Sequence, residues 1–334
     1  MPARGRRRLM LYAVPIAAAL VIGAVLAGLR LRAHDSGSAA APQPVAQVGS
    51  VVISSDLFDA RLRSALTAIQ QGGGPQSGSP QYGAFLQKLR AQVLQSLIVD
   101  ARISIEAQYQ HISASDSDVQ AELDAAAQAV GGMDQLQTQQ SEAGGSVAQL
   151  RDQIRARINE QRLEDLFAQQ RAATIVADIT SGNDFATLAM QLSDDDTSKA
   201  KGGDLGAISV DQLRAEAPAF AAAVNSLKVG AMTNPAVRDD AGYEILRLDA
   251  SGPTSRSLHR ILVAAPRPYT VKERPDWFTQ SVLDAVAQYC DAGQIKVFLD
   301  PSLQPCNAPI HSSPTPAASP AATPSPTAAF SPRP

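Results

Sequence analysis

Residues 9–29, LMLYAVPIAAALVIGAVLAGL, carry no charged side chain. A helix needs about 20 apolar residues to cross the hydrocarbon core of a bilayer, so this run is long enough. Pro15 is tolerated inside such a helix. Arg4, Arg6, Arg7 and Arg8 precede the run, and a basic segment over 1–8 is expected to stay in the cytoplasm. The run therefore predicts a single transmembrane anchor that uses the lipid bilayer as its partner. Every later residue then lies on the extracytoplasmic side of a cell membrane. The rival reading is a cleaved signal peptide and a secreted product. Arg30 and Arg32 count against prompt cleavage, while the small residues at 36–41 keep it open. Both readings give the same side of the membrane.

That side bears on Cys290 and Cys306, the two cysteines of the chain. In an oxidising compartment they can form a disulfide; two free thiols are the alternative. Neither sits in a CxxC pair, and His34, His111, His259 and His311 are scattered. No zinc or haem spacing results, so no metal and no cofactor are expected. A net charge of -3 leaves no electrostatic footprint for nucleic acid.

A polar linker over 30–44 leads to VAQVGSVVISSDLFDARLRSAL at 45–66. This reads as a short β-like run and then a helix capped by Ser54 or Ser55, with Leu57, Phe58, Leu62, Leu66 and Ile69 at helical spacing. GGGPQSGSPQYG at 72–83 is a loop. Helices are predicted over about 84–110, 113–130, 133–140 and 146–170. Ser115 and Asp118 come close to a capping box, and Gly131–Gly132 stops the helix they open. Aromatics are only 4% of the chain, so these cores rest mostly on Ala, Leu, Val and Ile. Residues 172–250 mix helical runs with the strand-like GYEILRLD, as a small α+β domain does. A strand at SLHRILVAA and a helix at PDWFTQSVLDAVAQYC follow. Residues 311–334 are almost all Pro, Ser, Thr and Ala, a composition that cannot bury a core and predicts a disordered or polyproline-like tail.

Residues 182–206 read GNDFATLAMQLSDDDTSKAKGGDLG. This segment resembles the parvulin family of peptidyl-prolyl isomerases, whose pattern runs G-x-DFA-xLA, a Ser-Asp-rich turn, then GGDLG. The likeness continues through Phe220, Leu227, Gly230, Pro235 and GYEI at 242–245. VAQVGSVVIS and LIVDARISIEAQYQHISASDSDVQAEL resemble the N-terminal region of SurA-like chaperones. The whole is similar to SurA- and PrsA-like extracytoplasmic foldases. The resemblance implies an α+β chain after a single transmembrane helix. Its parts are an N-terminal all-α chaperone-like domain (45–171), a parvulin-like α+β domain with a four-stranded antiparallel sheet (172–263), a C-terminal helical extension (264–310) and the tail. It implies action on unfolded or folding exported polypeptides that contain X-Pro bonds.

Rotation about a peptide bond faces a barrier of roughly 18–20 kcal/mol, so an uncatalysed X-Pro bond isomerises in tens to hundreds of seconds. No nucleophile, metal or cofactor is needed to speed it. The site must bind the twisted amide better than the planar one. The resemblance places Asp195 at the floor of such a site, Leu213 and Phe220 at its apolar wall, and Glu244 where the family carries a histidine. A solvated turn is the alternative for Asp195, and core burial for Phe220. Gly202, Gly203 and Asp204 read as a structural turn, because two adjacent glycines allow a path that a Cβ would block. Glu244 can copy the donor and acceptor pair of a neutral histidine only when protonated.

The family's first strand, usually H-I-L-V before the first helix, is missing ahead of Ala172. SLHRILV at 257–263 is expected to fill its place by pairing antiparallel with 242–249; a remnant or degenerate second module is the alternative. In that register Arg260, not His259, takes the family histidine's position. Two functions stay open: an isomerase, supported by Asp195, Leu213, Phe220 and the glycines, and a non-catalytic holdase, supported by the missing histidines and the large helical region.

Overall fold

The computed structural model of the chain describes residues 43–143, 145–270 and 274–307. The expected anchor at 9–29, most of the linker and the tail at 311–334 lie outside the described residues. Among the described residues, no helix is long and apolar enough to cross a membrane.

The elements run β1 (Pro44–Val48), β2 (Val51–Ser54), α1 (Ser55–Gln71), α2 (Tyr82–Tyr109), α3 (Asp116–Val130), α4 (Met133–Glu142), α5 (Val147–Thr180), α6 (Phe185–Leu192), β3 (Asp204–Ser209), α7 (Val210–Ala215), α8 (Pro218–Ser226), β4 (Val237–Arg238), β5 (Gly242–Ser251), β6 (Ser255–Ala264), α9 (Asp276–Asp291) and β7 (Ile295–Val297). Local chemistry sets the helix starts. Ser54 caps α1 by accepting from the Leu57 amide, Ser146 caps α5 through Gln149, and Asp184 caps α6 through Thr187. Ser115 and Asp118 form a full capping box on α3, and Ser209 and Gln212 form another on α7.

The expectation of an all-α region before residue 172 is corrected. β1 pairs antiparallel with β2 and with β7, which gives a three-stranded sheet of order β2-β1-β7. The two ends of the described chain thus meet in one sheet. A shared core of Phe58, Leu94, Leu97, Ile98, Val286, Tyr289 and Ile295 packs α1, α2 and α9 against it. Each fully buried side chain of this kind contributes about 1.5–3 kcal/mol. A disulfide joins Cys290 to Cys306 across a sequence separation of 16. Cross-linking a loop of that size contributes about 3 kcal/mol. The C-terminal extension expected over 264–310 contains the helix α9, and the short strand or helix expected at Gln294–Leu299 is the strand β7; both pack into the first layer. The pairing of β7 with β1 is not marked in the sequence, because β7 has only three residues and carries no periodicity.

α5 was expected to end near Gln170 and continues to Thr180 as one helix of 34 residues. No Gly or Pro interrupts that stretch, so nothing breaks it. At 1.5 Å per residue it spans about 50 Å. Its first half packs with α3 and α4 through Val119, Leu123, Leu136, Leu150 and Ile154. Its last turns cover a second sheet.

That second sheet has four antiparallel strands in the order β3-β6-β5-β4. β6 lies at its centre: Leu262 pairs with Glu244, Ile261 with Ile245 and Arg260 with Leu246. The sheet's side chains alternate between two faces. One face carries Ile245, Ile261 and Val263 against Ala172, Ile175, Phe185 and Ala189 of α5 and α6. The other carries Leu246, Leu248 and Leu258 against Leu213, Phe220 and Val224 of α7 and α8. Asp165 on α5 ties the two layers. It accepts from Arg238 Nε at 2.9 Å, Tyr243 Oη at 3.1 Å and Arg267 Nη2 at 3.1 Å.

Candidate functional site

The Ser-Asp-rich turn after α6 is not a solvated loop at its centre. Asp195 is buried, with 5% of its surface exposed. Its carboxylate accepts from the Thr197 hydroxyl at 2.7 Å, from the Thr197 amide at 3.2 Å and from the Ser198 hydroxyl. Arg260 adds Nε at 3.2 Å and Nη2 at 2.8 Å. Burial alone would raise this carboxyl's pKa. The Ser198, Thr197 and Arg260 hydrogen bonds overcome that and hold it down at about 2. The turn is stapled to β6 just before Asp195: the Asp194 amide donates to the Leu262 carbonyl at 2.8 Å, and the Leu262 amide donates to Ser193 Oγ at 3.1 Å.

The glycine pair explains why Arg260 can stand beside Asp195. Gly203 has φ +87, and a Cβ there would meet the Arg260 carbonyl oxygen at 2.4 Å. Only a bare backbone passes that close. The Arg260 amide donates to the Gly203 carbonyl at 2.8 Å. Gly202, at φ +66, is also tight: a Cβ there would meet Ala186 Cβ at 2.7 Å. Asp204 accepts from the Gly206 amide at 2.7 Å and closes the turn leading to β3.

Glu244 lies on the sheet face that carries Leu246, two residues before it. It is 1% exposed. Its Oε1 faces Arg260 Nη1 at 3.4 Å, and its Oε2 has no hydrogen-bond partner. Burial raises the pKa of this carboxyl to about 8; Arg260 opposes the rise, and Asp239, Asp195 and Glu216 add to it. Leu213 and Phe220 are buried in the apolar half of this face with Val224, Leu246 and Leu258. The arrangement is a polar floor of one guanidinium between two carboxyls, beside an apolar wall. These groups are largely closed to water, where fixed charges act most strongly.

His259 does not join this floor. It lies on the opposite face, edge-on to Phe185 at 6.1 Å between ring centroids, with Nδ1 against Asp249. Arg260 occupies the floor instead. The strand register predicts Arg260 at this position but assigns it no role. The signal was there: two acids on one buried face require a cation. The family pattern does not mark Thr197 and Ser198 either, although Asp-x-Thr-Ser is a side-chain-capped turn pattern.

Two family comparisons match. A PPIC-type PPIase domain matches residues 154–250, and a SurA-like N-terminal domain matches residues 6–170. Arg260 and the rest of β6 lie beyond the first match. The Chaperone SurA of Chromohalobacter salexigens is 40% identical over 85 residues, 25% of this chain and 19% of that protein. The Foldase protein PrsA 4 of Bacillus cereus is 38% identical over 80 residues, 24% of this chain and 27% of that protein. The chain thus spans between a fifth and just over a quarter of the length of these curated relatives. Among solved structures, the peptidylprolyl isomerase PrsA of Bacillus anthracis aligns at 20% identity over 63% of this chain and 91% of that chain, with a TM-score of 0.21.

Proposed function

We infer that this chain, which carries a PPIC-type peptidyl-prolyl isomerase domain behind a SurA-like N-terminal domain, is an extracytoplasmic foldase that isomerises X-Pro bonds in exported polypeptides. The observation that carries this reading is the polar floor of Asp195, Arg260 and Glu244 beside Leu213 and Phe220 on one face of the four-stranded sheet. In it, Leu213 and Phe220 grip the prolyl ring. The floor groups supply fixed charge and hydrogen bonds that favour the twisted amide over the planar one. The chemistry needs no cofactor. The helices before the sheet hold the extended client, and the run at 9–29 tethers the chain to the bilayer. The Cys290–Cys306 disulfide supports an oxidising compartment on the far side of that membrane.

The second reading is a holdase that grips clients without catalysis. It is favoured by one observation: a guanidinium and a carboxyl stand where the family carries imidazoles. Refolding of a client limited by prolyl isomerisation separates the two. With the full chain at substoichiometric concentration, the slow refolding phase is expected to accelerate in proportion to chain concentration. Suppressed aggregation with an unchanged slow phase would leave the holdase.

A further inference from the structure

Between β6 and α9, residues 265–270 and Arg274 run along α5 as a strap. Arg267 donates to the Gln161 carbonyl at 3.3 Å and to Asp165 at 3.1 Å. Tyr269 Oη and Arg274 both donate to Glu160 Oε1. On its other side the strap pairs with the turn before β5: the Ala265 amide donates to the Ala241 carbonyl at 2.9 Å, and the Arg267 amide to the Asp240 carbonyl at 2.8 Å. The strap thus ties the four-stranded sheet to α5.

Three carboxyl oxygens in this contact have no hydrogen-bond partner: Glu160 Oε2 and both oxygens of Glu164. Glu160 is 1% exposed and Glu164 0%. Arg267 stands 3.7 Å from Glu164. Its terminal nitrogens, however, are taken by the carbonyls of Ala265, Pro266 and Gln161 and by Asp165. A buried carboxylate without a donor is costly, whereas a carboxylic acid brings its own donor. Residues four apart on a helix are neighbours, which sets Glu160 beside Glu164 as the acceptor for that donor.

We propose that Glu160 and Glu164 are a proton-operated latch: with one proton shared between them the strap lies closed, and its loss lets the strap lift from α5 and from the turn before β5. The latch does not depend on the isomerase reading. Burial raises the Glu164 carboxyl to about 7; Arg267 from the strap and Arg238 from β4 oppose the rise, while Glu160 and Asp165 on α5 add to it. Beyond Glu160, Asp100 of α2 lines the same small cleft, with Arg61 of α1 at 3.4 Å. Burial raises Asp100 to about 7 as well. An acid whose pKa is raised in the closed form holds its proton more tightly there than in the open form. Closure is therefore most favoured below the ordinary carboxyl value of 4.5, weakens as pH rises towards 7, and weakens no further above it.

The test is amide hydrogen exchange of the full chain at Ala265 and Arg267, corrected for the pH dependence of free amides. Protection in the parent is expected to fall about 50-fold from pH 5 to pH 7.5, the factor that one proton with pKa values of 4.5 open and about 7 closed produces. In Glu164→Gln, whose amide donates to Glu160 and does not ionise, it should change by less than about threefold. A parent with flat protection overturns the latch, as does a Gln variant that keeps the fall, which would assign it to Asp100. Where circular dichroism shows Glu164→Gln unfolded, Glu160→Gln decides. Removing the neighbour that opposes ionisation is expected to shrink the fall about threefold, and a fall of the parent's size overturns the latch.

Discussion

Asp195→Ala is expected to lower kcat/KM for an X-Pro peptide at pH 7 by about 100-fold, the lower end of what positioned polar groups contribute. The cause is indirect as well as direct. Asp195 takes two of the contacts of Arg260. Once it is gone, the guanidinium is left to Glu244, and one of the negative charges opposing ionisation of Glu244, second to Asp239, disappears as well. The variant therefore loses a fixed anion and lowers the pKa of the Glu244 carboxyl. KM should change less than kcat, because Leu213 and Phe220 are untouched. A stability effect accompanies this. Asp195 is held at about 2 in the folded chain and ionises near 3.9 when unfolded. Its contribution is thus present above pH 4 and disappears as pH falls through about 2, so parent and variant should converge in stability in strong acid.

Arg260→Met has the larger effect on stability. Methionine fills the stem of the arginine and leaves both carboxyls without their cation. Removing one partner of a buried pair costs about 3–5 kcal/mol, because the remaining charge is stranded. Urea unfolding at pH 7 is expected to show a loss of that size. At pH 4, part of the loss should return, as protonation relieves the stranded acids. Arg260→Lys restores charge but not the two-nitrogen contact to Asp195, so it should recover only part of the stability. A Met variant as stable as the parent at pH 7 would mean that the floor is not the electrostatic unit described above.

What was legible in the sequence follows from how local each signal is. The starts of α1, α3 and α5 could be read because Ser54, Ser115 and Ser146 act within three residues of themselves. The second sheet could be read from the spaced glycines and GYEI, and the register of β6 followed from strand alternation alone. The first sheet could not: β1 and β7 are about 250 residues apart in sequence, five and three residues long, and meet only in the folded chain. The end of α5 lies ten residues past the predicted Gln170 because the apolar stripe ending at Phe167 continues through Ile175 and Val176 with no Gly or Pro between. At the site, Asp195 and Glu244 were legible from their positions in the family pattern. Their ionisation was not, since it depends on Arg260, which reaches Asp195 from 65 residues away.

The central claim is that this floor and wall isomerise an X-Pro bond. Two-dimensional NMR exchange on an X-Pro peptide, with catalytic amounts of the full chain, tests it directly. The expected result is cis–trans exchange cross-peaks at mixing times of a second or less, where the uncatalysed bond takes tens to hundreds of seconds, together with peptide-induced shifts at Leu213, Phe220 and Glu244. The same shifts without accelerated exchange would contradict the claim and leave a site that binds proline segments and does not turn them over.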